Sequence, residues 1–301
     1  MDLRRLEFLL ELSRLGSMRE VAEELHTTTS TVSQQLAALA REAGTPLLEP
    51  VGRRVRLTPA GHRLAGHAVS ILAAVEAARL DLDTEAEPVG TLRVAGFATA
   101  VRRTLLPIVL HLAEEHPRVQ MVIHEHEPAE ALELLASDSI DLALTYDYNL
   151  APATFERTLE PKTLWSAGWG LAVPTDSVPH APGASPQVFS GFRDADWIVN
   201  SRSTADEEVV GTIASMAGFA ARVRHRADSL ELVQNLIVAG LGVGLLPLSM
   251  PIVPGVTVLT LRDPDVDLRA YAVTRGGRAA WPPLALVLGM IAKPEGTESE
   301  C

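Results

Sequence analysis

A run of hydroxyl and amide side chains stands where the sequence predicts the beginning of a helix. Its members are Thr28, Thr29, Ser30, Thr31, Ser33 and Gln34. Such groups donate and accept hydrogen bonds, so they suit the base edges and phosphate oxygens of a DNA groove. The apolar residues Val32, Leu36 and Leu39 interrupt the run at helical spacing and are predicted to face a core. The alternative is a capped helix whose polar face meets only solvent.

The elements that would position this run are three short helices, because apolar residues recur at helical spacing through residues 3–41. Ser17 followed by Glu20 predicts a capping box at the start of the second helix, and hydroxyl residues from Thr28 onward can cap the third. Two helices joined by a tight turn have the geometry of a helix-turn-helix, whose second helix enters the major groove by its N-terminal end. The polar run lies at that end.

A basic hairpin is predicted directly after these helices, over residues 47–57, with Arg53 and Arg54 near its tip. Residues 51–74 carry four arginines and no acidic residue, although the 301-residue chain has a formal net charge of -12. The acidity lies further along, because the first 66 residues hold nine arginines and eight acidic residues. We therefore expect phosphate contacts from a local patch rather than from the overall field.

A long helix is predicted from Thr58 and Pro59, which favour a helix start, to about Asp83. Its apolar residues alternate spacings of four and three, as in a coiled-coil seam. They are Leu64, Ala68, Ile71, Val75, Ala78 and Leu82. Periodicity alone fits equally well a helix that lies against its own domain. The position between two predicted domains favours pairing with a second copy of the chain.

From Thr91 onward, predicted strands alternate with predicted helices, which is typical of an α/β domain with a mostly parallel sheet covered by helices. The first set comprises strand 91–95, helix 101–115, strand 120–126, helix 129–137 and strand 141–145. The second set comprises strands 170–173 and 197–200, helix 205–218, strand 221–225, helix 230–239 and strand 243–246. Two such sets facing each other would leave a cleft of ligand size.

Two other motifs point to different chemistry. His124 and His126 share one strand face and could hold a metal ion in a hydrolase, but no further His or Cys stands at ligand spacing. Gly240, Gly242 and Gly244 follow a helix and precede a strand, the reverse of the order that a dinucleotide loop needs, so cap and turn roles suffice. We therefore predict no metal site, no cofactor and no catalytic residue, and a protein that is not an enzyme.

Composition indicates where the chain acts. Its single cysteine, Cys301, is incompatible with an intrachain disulfide and fits the reducing cytoplasm. Charged residues stand among the leucines of the N-terminus, so no signal peptide is predicted. Residues 232–261 lack charge, but glycines and prolines interrupt them, which favours a buried helix, turn and strand over a membrane span.

The order of these motifs resembles that of LysR-type transcriptional regulators. The similarity is carried by residues 17–40, by GRRVRLTPAG at 52–61, by His116-Pro117 before a strand, by IDLA at 140–143 after a helix, and by VAGLGVGLLP at 238–247. The resemblance implies an N-terminal winged helix-turn-helix (1–58), a linker and dimerisation helix (59–88) and an effector-binding domain (89–295) of two subdomains, built like a periplasmic binding protein. Subdomain I would comprise about 89–162 and 268–295, and subdomain II about 163–267.

The resemblance also implies partners. They are double-stranded promoter DNA, a small-molecule effector, a second copy of the chain in a homodimer or homotetramer, and RNA polymerase as a further candidate, with no membrane partner. Where the family often has basic residues on the outer face of its recognition helix, this chain has Gln34, Ala37 and Ala38. We therefore expect fewer phosphate contacts than is usual in the family, and a solute-binding module with an inactive DNA head is a third alternative.

The resemblance places the effector in a cleft lined by the loop after the domain's first strand and by the start of a later helix. The candidate residues are Thr99, Ala100, Glu127, Tyr146, Arg202, Ser203 and Thr204. Helix N-termini favour anions, and Arg202 could pair with a carboxylate, so we expect a small organic anion. If Glu127 and Asp147 border the cleft, they favour a cation or a neutral polar ligand instead.

Overall fold

The computed structural model describes residues 1–51, 54–82, 87–178 and 183–292, which form an N-terminal helical domain, a long helix and a larger α/β domain. The helices are α1 (Leu3–Leu15), α2 (Met18–Glu24), α3 (Thr29–Ala43), α4 (Pro59–Leu82), α5 (Ala98–Ala100), α6 (Leu106–Glu115), α7 (Pro128–Ala136), α8 (Ser185–Ser190), α9 (Ala205–Met216), α10 (Leu230–Val238) and α11 (Pro282–Ala292). A π-helical turn, Val101–Leu105, joins α5 to α6, and 3-10 turns lie at Thr175–Ser177 and Arg278–Ala280. The strands are β1 (Leu48–Val51), β2 (Arg54–Leu57), β3 (Gly90–Gly96), β4 (Val119–Glu125), β5 (Leu142–Tyr148), β6 (Leu159–Pro174), β7 (Asp196–Val199), β8 (Arg222–Arg226), β9 (Val243–Pro247), β10 (Val256–Thr260) and β11 (Val266–Arg275).

The three predicted N-terminal helices and the hairpin are confirmed. The helices share one core, to which α1 contributes Leu9, α2 contributes Val21 and α3 contributes Leu36, each fully buried. Ser17 occupies the N-cap position of α2, but its side chain makes no capping hydrogen bond, so the capping box predicted there is wrong. Core packing of α2 against α3 stabilises this short helix without it. Strands β1 and β2 pair antiparallel as the hairpin.

Helix α4 lies against the N-terminal domain over its first half. Ala65, Ala68 and Val69 are buried there, and α4 packs on α1. Gly61 faces the carbonyl oxygen of Leu47, and a Cβ at this glycine would lie 2.3 Å from that oxygen. Because the oxygen belongs to the backbone, the helix can approach the hairpin this closely only with glycine at position 61.

Replacing Gly61 by Ala should therefore destabilise the chain by about 1–3 kcal/mol, because overpacking forces the backbone apart. Gly211 in α9 is the matched control, since a Cβ there meets nothing within 4 Å. Gly211→Ala should stabilise the chain by about 0.5–1 kcal/mol, the difference in helix propensity. Denaturant unfolding of both variants measures the two effects, and equal effects would contradict the close approach.

The described part of the α/β domain contains one nine-stranded sheet in the order β4-β3-β5-β11-β6-β9-β7-β8, with β10 also paired to β6. The sheet is mixed, so the prediction of a mostly parallel sheet is wrong. Strand β11 pairs antiparallel with both β5 and β6, and β6 pairs antiparallel with β9 and β10. These two long strands, which the sequence pattern did not reveal in full, join a parallel set β4-β3-β5 to a parallel set β9-β7-β8. A cleft forms between the two sets.

A buried ion cluster attaches the N-terminal domain to the α/β domain. Arg14 of α1 donates to Asp138 (Nε to Oδ2, 2.9 Å), and its Nη2 lies 3.6 Å from Oδ1 of Asp141. Asp141 also accepts hydrogen bonds from Arg278 (2.7 Å) and from the backbone amide of Arg93 (3.0 Å). Both aspartates are almost fully buried, so the cluster replaces their lost solvation with paired charge.

Candidate functional site

The predicted base-reading run lies at the N-terminal end of α3, and most of it is exposed. Thr28 is the N-cap, and its hydroxyl accepts a hydrogen bond from the Thr31 amide (3.2 Å) and lies 2.8 Å from the Ser30 hydroxyl. Thr29, Ser33 and Gln34 are exposed and make no side-chain hydrogen bond to the described residues. Gln35, the next residue, accepts a hydrogen bond from Arg5 of α1 (3.1 Å) and so fixes α3 on α1.

The hairpin lies directly after α3 in the chain and packs beside the start of α4. Of the two arginines predicted at its tip, Arg53 lies outside the described residues, and Arg54 is the first residue of β2. Glu49 on β1 binds Arg56 on the facing strand, which neutralises one of the four arginines of the basic stretch.

The residues of the predicted coiled-coil seam differ in burial between the two halves of α4. Ala68 is fully buried in the core of its own chain, and Leu64 packs partly against the same core. Ile71 is 38% exposed and Leu82 is 86% exposed, while Ala78 is exposed and Val75 is half-buried. The first half of the helix thus belongs to its own domain, whereas the second half presents an apolar stripe.

A cavity of about 620 Å³ opens between the two strand sets of the α/β domain. Its walls come from the segment after β3, from β5, β6 and β9, and from the segments around the starts of α9 and α10. The aromatic lining residues are Phe97, Tyr146, Trp165 and Trp169. The charged ones are Arg102, Arg103, Glu125, Glu127, Asp206, Asp228 and Glu231. This size suits a small organic molecule.

Three of the predicted effector residues, Thr99, Glu127 and Tyr146, line this cavity. Ala100 is fully buried in the hydrophobic core, and Arg202, Ser203 and Thr204 are not part of the cavity wall. Arg202, the residue predicted to pair with an anionic effector, is already bound within the chain. It donates to Asp228 at 2.9 Å and approaches Glu130 at 3.5 Å. The Thr204 hydroxyl donates to Glu208, and the Ser203 hydroxyl accepts from the Ala205 amide.

Four important lining residues were not predicted. Asn200 follows β7, and the carboxyl end of a parallel strand is a common place for ligands, so this signal could have found it. Asp206 stands in the first turn of α9, where an acidic residue is ordinary and carries no distinct signal. Trp165 and Trp169 lie on β6, whose length the sequence pattern did not reveal.

Two carboxylates in the cavity wall are held in an unfavourable environment. Burial raises the pKa of Glu127 to about 7, against a smaller lowering by the Tyr146 hydroxyl, which donates to Glu127 Oε2 at 2.9 Å. Burial likewise raises the pKa of Asp206 to about 6, against a smaller lowering by the Tyr148 hydroxyl. Neither carboxylate has an arginine, lysine or histidine nitrogen within 4 Å among the described residues, so no ion pair there offsets the lost solvation.

The pair His124 and His126 lies at the end of β4, and the glycine segment follows α10. The rings of His124 and His126 lie 6.3 Å apart, and His126 contacts Glu130 at 3.2 Å, but in the described ranges no three His, Cys, Asp or Glu residues group as a metal site would require. Gly240 follows Ala239, the C-cap residue of α10, and adopts a positive φ of 73°, which is the predicted helix-ending role. None of the helices above combines the length and the apolar character that a membrane crossing needs.

Two family descriptions match the chain and together cover most of it. "Bacterial regulatory helix-turn-helix protein, lysR family" matches residues 3–62, and "LysR substrate binding domain" matches residues 85–293. The chain belongs to the LysR family. The resemblance noted in the sequence is therefore confirmed, and this LysR-type chain is a DNA-binding transcription regulator with an effector-binding domain.

Known LysR relatives align along most of this chain. The transcriptional dual regulator GltC of Bacillus subtilis is 29% identical over 249 residues, which cover 82% of this chain and 81% of GltC. The structure of a full-length OxyR variant from Pseudomonas aeruginosa superimposes with a TM-score of 0.71 at 20% identity and covers 97% of this chain and 93% of OxyR. Full-length CbnR in complex with its target DNA gives a TM-score of 0.52 at 20% identity, covering 97% and 99%. The predicted order of helix-turn-helix, linker helix and α/β domain is thus that of full-length LysR regulators.

Proposed function

We propose that this LysR regulator binds promoter DNA through the N-terminal end of α3 and through the hairpin, pairs with a second copy through α4, and is controlled by a small molecule in the cavity. It would act in the cytoplasm, without enzymatic activity, with domain limits near 1–58, 59–88 and 89–295. The observation that carries the proposal is the exposed polar N-terminal end of α3, and the arginine-bearing hairpin that follows α3 in the chain supports it. RNA polymerase is a further partner of this proposal.

The roles of individual residues follow from their exposure. Thr29, Ser33 and Gln34 are the candidates for base edges, because their side chains are exposed and not used in described hydrogen bonds. Thr28, Ser30 and Thr31 hold the helix start through their mutual hydroxyl contacts and offer phosphate contacts. Arg53 and Arg54 supply positive charge from the hairpin.

Retardation of DNA tests the proposal directly. The purified chain should retard the promoter DNA next to its own coding region at moderate salt, and a scrambled duplex of the same length should compete weakly. Equal binding to both duplexes would indicate a general polyanion binder. Failure to retard either would favour the solute-binding module with an inactive DNA head.

Removing both hairpin arginines should weaken binding to every DNA sequence. For Arg53→Ala with Arg54→Ala, the slope of log affinity against log salt should fall by about two, because two phosphate contacts and their released counterions are lost. Arg222→Ala with Arg224→Ala is the matched control, since these exposed arginines lie on β8 in the other domain. A slope unchanged by the hairpin variant, or lowered equally by the control, would reject the assignment.

The exposed half of α4 is proposed to carry pairing through Ile71, Val75, Ala78 and Leu82. Replacing Ile71 and Val75 together by Glu should split the dimer, because it buries like charges against each other at the centre of the stripe. Light scattering should then report the monomer mass. Glu76→Ala with Arg79→Ala, exposed changes on the same helix outside the stripe, should leave the mass unchanged. A wild-type mass for the double Glu variant would place pairing elsewhere.

Control of DNA binding from the cavity is supported by the course of helix α7. The helix begins directly after Glu127, in the cavity wall, and Asp138 and Asp141 follow its end. Those aspartates contact Arg14 of the DNA-binding domain. One nine-residue helix therefore separates the proposed effector from the contact between the domains.

A further inference from the structure

Buried acceptors without donors characterise the inner wall of the cavity, which Glu127, Tyr146, Asn200 and Asp206 form. Asn200 is 9% exposed, and its Oδ1 has no hydrogen-bond partner among the described residues. Oδ1 of Asp206 also has no hydrogen-bond partner among the described residues, and neither does the hydroxyl of Tyr148, the neighbour that lowers the pKa of Asp206. The unpartnered atoms of the wall itself are an amide oxygen and a carboxylate oxygen, so the wall presents negative potential to the cavity.

The side-chain donors of the four wall residues are engaged with one another. Tyr146 donates its hydroxyl to Glu127 at 2.9 Å, and the Asn200 amide donates to the Tyr146 oxygen at 2.8 Å. Arg202 is held by Asp228, outside the wall. Arg103 lies over the ring of Trp165 at 4.4 Å. An anion at the inner wall would find its donors engaged and would meet two carboxylates.

Aromatic rings adjoin the inner wall. Phe97 and Tyr146 pack edge to face with ring centroids 4.7 Å apart, and Phe97 also lies 6.2 Å from Trp165. Aromatic faces attract cations that are shielded from water, and they also accommodate the apolar body of a ligand. The buried carboxylates and the aromatic rings therefore both favour a positively charged ligand.

We infer that the cavity binds a small organic cation bearing N–H donors, an amine or amidine, with its charged group against Glu127 and Asp206 and its body against Phe97 and Trp165. The sequence favoured an organic anion, and the contacts of this wall favour the cation, the alternative that Glu127 had kept open. The inference rests on the proposed function in taking this cavity as the effector site. It adds the charge and the hydrogen-bonding character of the ligand.

Two series of probes of matched shape test the inference by thermal shift on the full chain at pH 8. One is benzamidine, benzamide and benzoate, and the other is tryptamine, indole-3-acetamide and indole-3-acetate. At about 10 mM, the cation of each series should raise Tm, while the carboxylate should not, because a ligand that binds only the folded state stabilises it by an amount that grows with the logarithm of its concentration over Kd. A larger shift with the carboxylates, or no shift with any probe, would overturn the inference.

Variants locate the binding. Glu127→Gln and Asp206→Asn should each weaken calorimetric binding of the more strongly bound cation at least tenfold. Glu114→Gln is the matched control, because Glu114 is an exposed carboxylate on α6 that does not line the cavity. Its effect should stay below about twofold, since solvent screens the exposed charge. Equal losses in all three variants would show a diffuse field rather than this site and would overturn the assignment.

These measurements need no DNA, so the ligand assignment and the regulatory function are tested independently of each other. A chain that binds the cations but retards no promoter DNA keeps the ligand assignment and loses the regulatory function. A chain that retards its promoter but responds to none of the cations loses only the ligand assignment.

Discussion

Replacing Asp141 by Asn should lower the free energy of unfolding by about 3–5 kcal/mol, the cost of removing one partner from a buried ion pair. The Asp141 side chain is 1% exposed and pairs with Arg278, which is itself 8% exposed. Burial lowers the pKa of Arg278, and Asp141 is the strongest influence against that shift. Without the carboxylate, Arg278 and Arg14 would remain as two neighbouring cations. Denaturant unfolding at neutral pH measures the loss.

Asp196→Asn is the matched control for this experiment. Asp196 pairs with Arg222 near the surface, where the arginine is 62% exposed, so its loss should cost less than about 1 kcal/mol. If Asp141→Asn were as mild as Asp196→Asn, the ion cluster would contribute nothing to the attachment of the two domains. The rule that buried pairs are costly to break would then not apply at this position.

Replacing Glu127 by Gln should instead raise the free energy of unfolding, by an amount that depends on pH. The folded state raises the pKa of this carboxyl from 4.5 to about 7 through burial. Between these two pH values the folded chain keeps a proton that the unfolded chain releases, so the wild type loses stability as pH rises through this window. Above pH 7 the penalty is constant at about 3 kcal/mol, from about 1.36 kcal/mol per pKa unit. Gln is neutral at every pH and does not carry this cost. The variant should therefore be more stable than the wild type at pH 8 and nearly as stable as the wild type at pH 4.5.

Unfolding free energies of both proteins from pH 4.5 to pH 8 check this result. The exposed Glu231→Gln change should run parallel to the wild type over the same range. A constant difference between Glu127→Gln and the wild type at all pH values would show that the carboxyl is not the source. A gain in stability together with loss of cation binding would indicate that the wild type keeps an unfavourable charge for its ligand.

Local signals in the sequence were enough to determine the N-terminal domain. Helical spacing of leucines and valines, the hydroxyl cap at Thr28 and the pair Thr58-Pro59 predicted α1 to α4 and the hairpin, because capping and periodicity act within a few residues. The order of motifs was also sufficient to recognise the family, because its signature residues lie in short contiguous segments. The one local failure, at Ser17, concerns a single hydrogen bond in a helix that packing stabilises anyway.

The tertiary structure alone decided which face of α4 is used, which sheet forms and what the cavity contains. The pattern of α4 was compatible with both faces until packing on α1 buried Ala68 and left Ile71 at the surface. The antiparallel pairing of β11 with β5 joins residues more than 100 positions apart, a choice that alternation within one strand cannot express. Arg202 is a plausible anion ligand in sequence, but a bond to Asp228, 26 positions away, removes it. Glu127, Asn200 and Asp206 come from three separate segments, and the charge of the ligand follows from their meeting, because burial and pairing depend on distances that only the folded chain sets.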